Sequence, residues 1–453
     1  MSKAYSHKIQ LLITLSVALA ALFVLYVVFR RYGSLTATIF IYMFLFSALI
    51  SYYVPEVFIG FFYSGLISIF IYQFPALSQQ SGWSLVPFFI VLFYLFRQAY
   101  HGNWLIRIEP GFISQILFFL LMLVSIILYP TENGIKKTWY FTYHNLTPLL
   151  CVLAFSGNVV RLKRMMLSFA IGAMIFSISG TFFYIKGISI EADRVTAFFW
   201  GSISYGRISA IAAIFAATYL IEREKTWKNI CLFCPLYLLL LFNSIASGTR
   251  GVLLGLVFVH FLYILVLGLK KKNYLLLFIL PVFFSCSMYF IYNFVPENLT
   301  ARTTNVITSH KSDTSIFART EFYSEAWEGF KIKPFFGHGI GSFIYYSHFD
   351  YPHNIILEIA FELGLAGIVC FLFFVGKCFS IGWKSLHRLH NPGDTERSIS
   401  FYWFIFLFVG AQFSFDISGN LMLWFFGGLV VAYNVPKTIC TQPLKNLRAA
   451  KNI

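Results

Sequence analysis

The sequence predicts an all-α polytopic membrane protein with about 12–14 transmembrane helices and one large loop containing an amphipathic helix. Three observations predict it. Of 453 residues, 58% are hydrophobic and 11% charged, with 55 phenylalanines, a composition that does not suit a water-soluble chain of this length. The apolar residues fall in runs of about 20, the length a helix needs to cross the hydrocarbon core. The basic residues behind the formal charge of +16 are spread through short connections between those runs, the distribution that sets membrane orientation, so a nucleic-acid partner is unsupported.

The apolar runs, in order, are 9–29, 35–53, 57–74, 84–99, 111–129, 140–159, 165–187, 200–221, 229–247, 251–269, 274–295, 354–376, 400–417 and 419–434. The first stays apolar past the small residues at Ala18–Ala21, so it reads as a retained span rather than a cleaved signal. These runs divide the chain into a transmembrane bundle over 1–295 (about 11 spans), a loop over 296–353, C-terminal spans over 354–434 and a basic tail over 435–453. Arg97 and Arg107, Arg161, Lys163 and Arg164, Arg223, Lys225 and Lys228, Lys270 to Lys272, Lys384, Arg388 and Arg397 mark connections expected in the cytoplasm, together with both termini. The alternation places 296–353 outside the cytoplasm; Arg30-Arg31 and Lys136-Lys137 run against it. Seven cysteines, an odd count without paired spacing, argue against a disulfide framework or a zinc site, and Cys231-x-x-Cys234 at the start of an apolar run reads as helix packing.

The longest polar interval, 311–367, is where chemistry is expected. From Ser315 to Phe330, apolar Tyr323, Ala326, Trp327 and Phe330 recur at helical steps beside Arg319, Glu321, Glu325 and Glu328, with Asp313 or Ser315 able to cap the start and Pro334 ending the helix. Gly337, Gly339 and Gly341 then form a turn whose backbone can either approach a ligand closely or simply bend. Tyr351-Pro352-His353-Asn354 leads directly into a span, putting His353 where water meets lipid. The aromatic residues along 322–346 suit a lateral groove for a lipid tail or an interfacial belt.

Arg319, Trp327, Pro334, Gly337-x-Gly339-x-Gly341-x-Phe343, His353-Asn354 and Glu362-x-Gly364-x-x-Gly367 together resemble the O-antigen ligase and O-antigen polymerase superfamily, most strongly over about 190–370. The resemblance implies a glycosyltransferase of the bacterial inner membrane, active at the periplasmic face, that moves a glycan from undecaprenyl diphosphate to an acceptor. It implies that Arg194, Arg250 and Arg319 engage the carrier diphosphate and that His353 activates the acceptor. The chain departs from the family near Gly201-Ser202-Ile203-Ser204-Tyr205, where members often carry Pro-Asn.

The residue chemistry is compatible with those roles. Arg194 and Arg250 at span boundaries can snorkel to headgroups, or with Arg319 of the loop helix their planar forks can bind a diphosphate and stabilise it as it leaves. An imidazole at 353 titrates near neutral pH and can accept a hydroxyl proton, or can cap the following helix. His338 in the glycine turn is a second candidate for substrate contact. Asn354, Glu358 and Glu362 share one helix face; a carboxylate inside a span needs a basic partner, expected to be Arg207 for Glu362. Gly364 and Gly367 are expected to permit close helix packing, and Asp416 is open between structural pairing and acceptor contact.

The expected reaction is an inverting transfer without cofactor or metal, since the loop carries no Asp-x-Asp signature. If the acceptor is a lipid A-core sugar the enzyme is a ligase; if it is a second carrier-linked repeat unit, an O-antigen or exopolysaccharide polymerase. A lipid-linked glycan flippase is the alternative of another class, and predicts paired broken helices in two related halves instead of polar residues gathered in one loop.

Overall fold

The computed structural model describes residues 45–72, 85–100, 109–187, 190–191, 194–198, 200–222, 227–271, 314–387 and 394–434. The expected spans 9–29 and 274–295, the loop portion 296–313 and the tail 435–453 lie outside the described residues.

The chain is an all-α polytopic membrane protein. Its helices are α1 (Leu45–Tyr53), α2 (Pro55–Tyr63), α3 (Leu66–Tyr72), α4 (Leu85–Tyr100), α5 (Pro110–Leu128), α6 (Glu132–Phe141), α7 (Thr147–Phe155), α8 (Val159–Ile185), α9 (Ser202–Glu222), α10 (Trp227–Ala246), α11 (Arg250–Lys271), α12 (Thr314–Ile332), α13 (Ile355–His387), α14 (Asp394–Gly410) and α15 (Leu421–Ala432). The one described strand pair is a small hairpin, β1 (Ile190–Glu191) against β2 (Arg194–Val195). Among the described residues six helices, α5, α8, α9, α10, α11 and α13, are long and apolar enough to cross a membrane, or seven elements if the bent pair α1–α2 is one span.

Several expected boundaries move. The runs 35–53 and 57–74 are not two straight spans: α1 and α2 meet at 117° around Val54, and the chain turns again at Gly65 before α3. Pro55 explains the first break, because it disfavours helical geometry at the preceding residue and starts a new helix well. The run 140–159 is the second half of a longer helical stretch that begins at Glu132 and passes through a π-turn, Thr142–Leu146, before α7. The run 354–376 continues to His387.

α9 is the axis of the bundle. In its membrane window 83% of residues are buried, against 33% for α10. Ala210, Ala212, Ala213, Ala216 and Ala217 are all buried, and small side chains let neighbouring backbones approach closely. α10, α8, α14 and α11 pack around it, while α13 packs on α5 and on α12. α15 is buried along its whole length from Met422 to Ala432 and centres an aromatic cluster in which Trp424 meets Phe118, Phe141, Phe371 and Phe374. At twelve residues α15 is roughly 18 Å long, too short to cross the hydrocarbon core. Irregular backbone completes that layer: the segment 411–420 joins α14 to α15 inside the protein, where non-helical backbone is tolerated because its polar groups find protein partners.

Candidate active site

The segment 411–420 holds the site together through its carbonyls. Asn354 donates from Nδ2 to Gln412 O at 3.5 Å, the Tyr323 hydroxyl donates to the same oxygen at 3.3 Å, and Arg319 donates to Phe413 O at 3.4 Å. The Ile355 amide donates to Ala411 O at 3.1 Å. Gly251, next to Arg250 at the start of α11, is backed against Phe413: a Cβ there would lie 3.0 Å from the Phe413 Cβ. Arg194, on β2, runs its side chain past Gly248, whose φ is +62°; a Cβ at 248 would lie 3.3 Å from Arg194 Cγ. Arg194 Nη1 approaches the Ser202 hydroxyl at 3.4 Å, and its buried Nε has no hydrogen-bond partner. A chain of direct contacts thus links the surroundings of Arg194, Arg250, Arg319 and Asn354, although they come from four separate stretches of sequence.

His353 stands beside them on strained backbone. Among the described residues only Phe198, His353 and Phe415 are non-glycine residues with positive φ, and His353 has φ 57°. Such conformations persist where the surrounding structure over-determines them. The ring packs edge-on to Tyr351 at 4.5 Å and tilts towards Phe322 at 6.2 Å. Its nitrogens make no hydrogen bond to a described residue. Partial burial and the Arg319 guanidinium together push its pKa below the ordinary imidazole value, outweighing Asp350, so the neutral ring with a free lone pair is favoured. Burial and the nearby carboxylates Asp416, Glu358 and Asp350 push the Tyr351 hydroxyl up to about 12, so the neighbour of His353 stays a neutral phenol.

Asn354 is the N-cap of α13. Its Oδ1 accepts from the amides of Ile356 and Leu357, both at 3.0 Å. Capping therefore belongs to Asn354 and not to His353, which leaves the imidazole uncommitted.

The glycine turn is built for backbone contact with backbone. Gly364 breaks α13 with φ 62° and ψ −156°, and the turn after α12 satisfies the groups so exposed. His338 N and Gly339 N donate to Phe361 O and Glu362 O at 2.9 Å each, while Leu365 N and Ala366 N donate to Pro334 O at 2.7 Å and Phe335 O at 3.1 Å. A Cβ on Gly337 would sit 2.4 Å from Glu362 C, and one on Gly364 2.6 Å from Phe335 C, so both glycines are required by close approach. His338 belongs to this scaffold: Nε2 donates to Gly329 O at 2.8 Å and the ring stacks on Phe361 at 4.6 Å, 19° from parallel. Burial pushes its pKa down, and with Nε2 carrying the proton its Nδ1 is a buried acceptor without a partner.

Glu362 does not pair with Arg207. Its carboxylate receives Lys137 Nζ at 2.7 and 2.9 Å, and the same ammonium bonds Glu358; the lysine is 6% exposed and both glutamates 0%. Arg207 is instead a buried strut for the 411–420 segment, donating to Asn420 Oδ1 at 2.9 Å, Gly410 O at 3.0 Å and Ser414 O at 3.3 Å, with Phe415 stacked over its guanidinium. Asp416 is drawn into local structure: its oxygens accept from the Ser418 hydroxyl at 2.5 Å and from Gly419 N at 2.6 Å.

The α12 helix is present over Thr314–Ile332, so Ser315 lies inside it, and Asp313 is outside the described residues. Its buried stripe is Phe322, Ala326 and Gly329; of the expected apolar set Ala326 is buried, Tyr323 and Phe330 are half-buried, and Trp327 is 50% exposed. Phe322 and Ala326 pack with Phe343 and Phe361, and this small core fixes α12 to the first half of α13 and so presents Arg319 towards His353.

Residues 235–372 match the O-antigen ligase family. The O-antigen ligase segment contains Arg250, Arg319, His338, His353, Asn354, Glu362 and the glycine turn. It supports the O-antigen ligase and polymerase superfamily that the motif run resembles, and with it a membrane glycan-processing enzyme acting on lipid-linked glycans. Arg194, Lys137 and the 411–420 segment lie outside the O-antigen ligase match. No curated protein matches the chain.

Lys137 and the 411–420 segment were missed by sequence reasoning. A signal existed for the first: Lys136-Lys137 is a basic pair in a connection expected outside the cytoplasm. A lysine that defies the charge rule has a reason to be there, and Lys137 answers two buried carboxylates while Lys136 pairs with Glu132 on the surface at 2.6 Å. The 411–420 segment acts through main-chain carbonyls, which leave no pattern in side chains.

Proposed function

We propose that the chain is an O-antigen ligase-type membrane glycosyltransferase, working at the periplasmic face of the bacterial inner membrane, that moves a glycan from undecaprenyl diphosphate to a hydroxyl of a lipid A-core sugar. The observation that carries this reading is the placement of Arg319 beside His353, inside the O-antigen ligase match and over a segment that also packs against Gly251, the residue after Arg250.

In the proposed step, a ring nitrogen of His353 takes the acceptor hydroxyl proton as the oxygen attacks the anomeric carbon. The new C–O bond forms opposite the breaking one, so the configuration inverts, and the bond electrons leave with the diphosphate. Arg194, Arg250 and Arg319 neutralise that developing charge, the role a divalent cation fills in other transferases, and two-point guanidinium contacts hold the diphosphate in line. Asn354 fixes the start of α13 and so the position of the base. Glu362, through Lys137, and His338, through Gly329, hold the surrounding scaffold.

The test is transfer by the purified protein from undecaprenyl-diphosphate-linked glycan to lipid A-core. Capped lipid A-core as product is the expected result. Extension of the carrier-linked glycan instead would indicate a polymerase, and movement of the carrier lipid across the bilayer without any transfer would contradict the reading.

A further inference from the structure

The segment 411–420 has two ends, and the donor side of the reaction uses only one. At 411–413 it meets Asn354, Tyr323, Arg319 and Gly251. At its other end it meets the π-turn Thr142–Leu146 that follows α6, where Asn145 Nδ2 donates to Ser418 O at 2.8 Å. Single π-turns inside helices are frequent at functional sites, because the extra residue re-aims a side chain. In this turn the side chain beside Asn145 is His144.

His144 is half-buried, and its ring nitrogens make no hydrogen bond to a described residue. Tyr143 lies against the ring at 4.3 Å and Tyr140 stacks on it at 6.0 Å, 9° from parallel. Asp416 is within electrostatic reach of this imidazole and of the Tyr351 hydroxyl, and the Tyr351 ring packs on His353. Half-buried side chains therefore lead from the base to α6 in the order His353, Tyr351, Asp416, His144. Ionisable groups within a span face a polar cavity or a substrate path rather than lipid. An interfacial belt accounts for Trp139 and Tyr140, which are 64% and 50% exposed, but it does not call for an imidazole beside a carboxylate.

Charge narrows the ligand. The cations at this end are committed: Lys136 to Glu132, Lys137 to Glu358 and Glu362, and Arg207 to Asn420 and main-chain carbonyls. An anionic diphosphate therefore belongs at the arginine end. The Asp416 oxygens accept from Ser418 and Gly419 and still have lone pairs, since a carboxylate has about four acceptor positions. A carboxylate, an imidazole and a phenol that can bond hydroxyls, beside flat aromatic rings that can cover an apolar face, match a neutral sugar ring.

We propose that Tyr140, Tyr143 and His144, with Asp416 and Tyr351, form the acceptor subsite, binding a neutral saccharide ring and delivering its hydroxyl to His353. The inference rests on the glycan-transfer reading and assigns that reaction its second substrate side. Of these residues only Tyr351 lies within the O-antigen ligase match.

The test is steady-state transfer by the purified full chain in nanodiscs, varying lipid A-core at saturating undecaprenyl-diphosphate-linked glycan and then the reverse. His144→Gln is expected to raise KM for the acceptor on the order of tenfold. Tyr140→Leu, at a half-exposed position where folding is little at risk, is expected to raise it several-fold. In both variants kcat and KM for the donor should change little. Native mass spectrometry without donor is the second readout: the wild-type chain should retain delipidated core oligosaccharide, and both variants should retain less. Wild-type acceptor KM and wild-type oligosaccharide retention in both folded variants would overturn the subsite and leave the transfer reading standing. Absence of any transfer by the wild-type chain would instead contradict the transfer reading and overturn the subsite with it.

Discussion

His353 combines three properties that a base at a membrane boundary needs: an imidazole without a hydrogen-bond partner among described residues, a depressed pKa, and a backbone held at φ 57° by its neighbours. Because burial and Arg319 both disfavour the protonated ring, kcat/KM for transfer is expected to rise with pH through an apparent pKa below about 6.5, the ordinary imidazole value. Arg319→Gln removes one of those causes, so the midpoint of the residual activity is expected to move up; an unchanged midpoint would show that the two groups do not communicate. The same depression has a sign for stability. The unfolded chain binds this proton more readily, so the contribution of His353 is complete above about 6.5 and is lost as pH falls from there through the lower folded value. Lys137 is the second residue with a sharp expectation. Lys137→Met strands two buried carboxylates and is expected to destabilise the protein by about 3–5 kcal/mol. Denaturant unfolding checks it, and adding Glu358→Gln and Glu362→Gln should recover most of the loss. At this scale the sequence singled out Arg194, Arg250, Arg319 and His353 as candidates, because charged and titratable groups stand out against an apolar chain. It misassigned the partner of Glu362, because the choice between Lys137 and Arg207 depends on which helix lies against α13, which local sequence does not encode.

The element that sets the geometry is the broken α13 with the glycine turn docked into its gap. Gly337 and Gly364 both have positive φ and face backbone atoms at distances no Cβ tolerates, so Gly337→Ala and Gly364→Ala are each expected to destabilise by about 1–3 kcal/mol or more. Transfer activity should fall with them, because the turn fixes α12 and hence Arg319. Wild-type thermal stability in either variant would contradict this account of the turn. Gly-x-Gly-x-Gly was visible in the sequence, but its partner was not: a run of apolar residues gives no warning that Gly364 will interrupt the helix. The α12 helix was legible from its periodicity, yet its buried stripe was placed one step away. Trp327 is apolar but half-exposed, where an aromatic side chain is at home near an interface, and the glycine at 329 takes the close contact with Phe361 instead.

For the whole molecule, composition and run length were enough for fold class, since only helices long enough to cross a bilayer use such a chain economically. Span limits were less legible. The bend at Val54 and the passage from α6 through a π-turn into α7 depend on proline placement and packing, and the short α14 and α15 are completed by the largely buried 411–420 segment. The proposed topology puts His348 and Lys384 on opposite faces of the membrane. In a cysteine-free background, a membrane-impermeant maleimide applied to intact spheroplasts is expected to label His348→Cys and to spare Lys384→Cys until the cells are opened; the reverse pattern would invert the orientation. The most direct test of the central claim is glycan transfer from purified undecaprenyl-diphosphate-linked donor by the His353→Ala variant, with folding confirmed by its melting profile. The account predicts a rate lower by about 10²–10⁴-fold, while a folded variant that transfers glycan at the wild-type rate would contradict it.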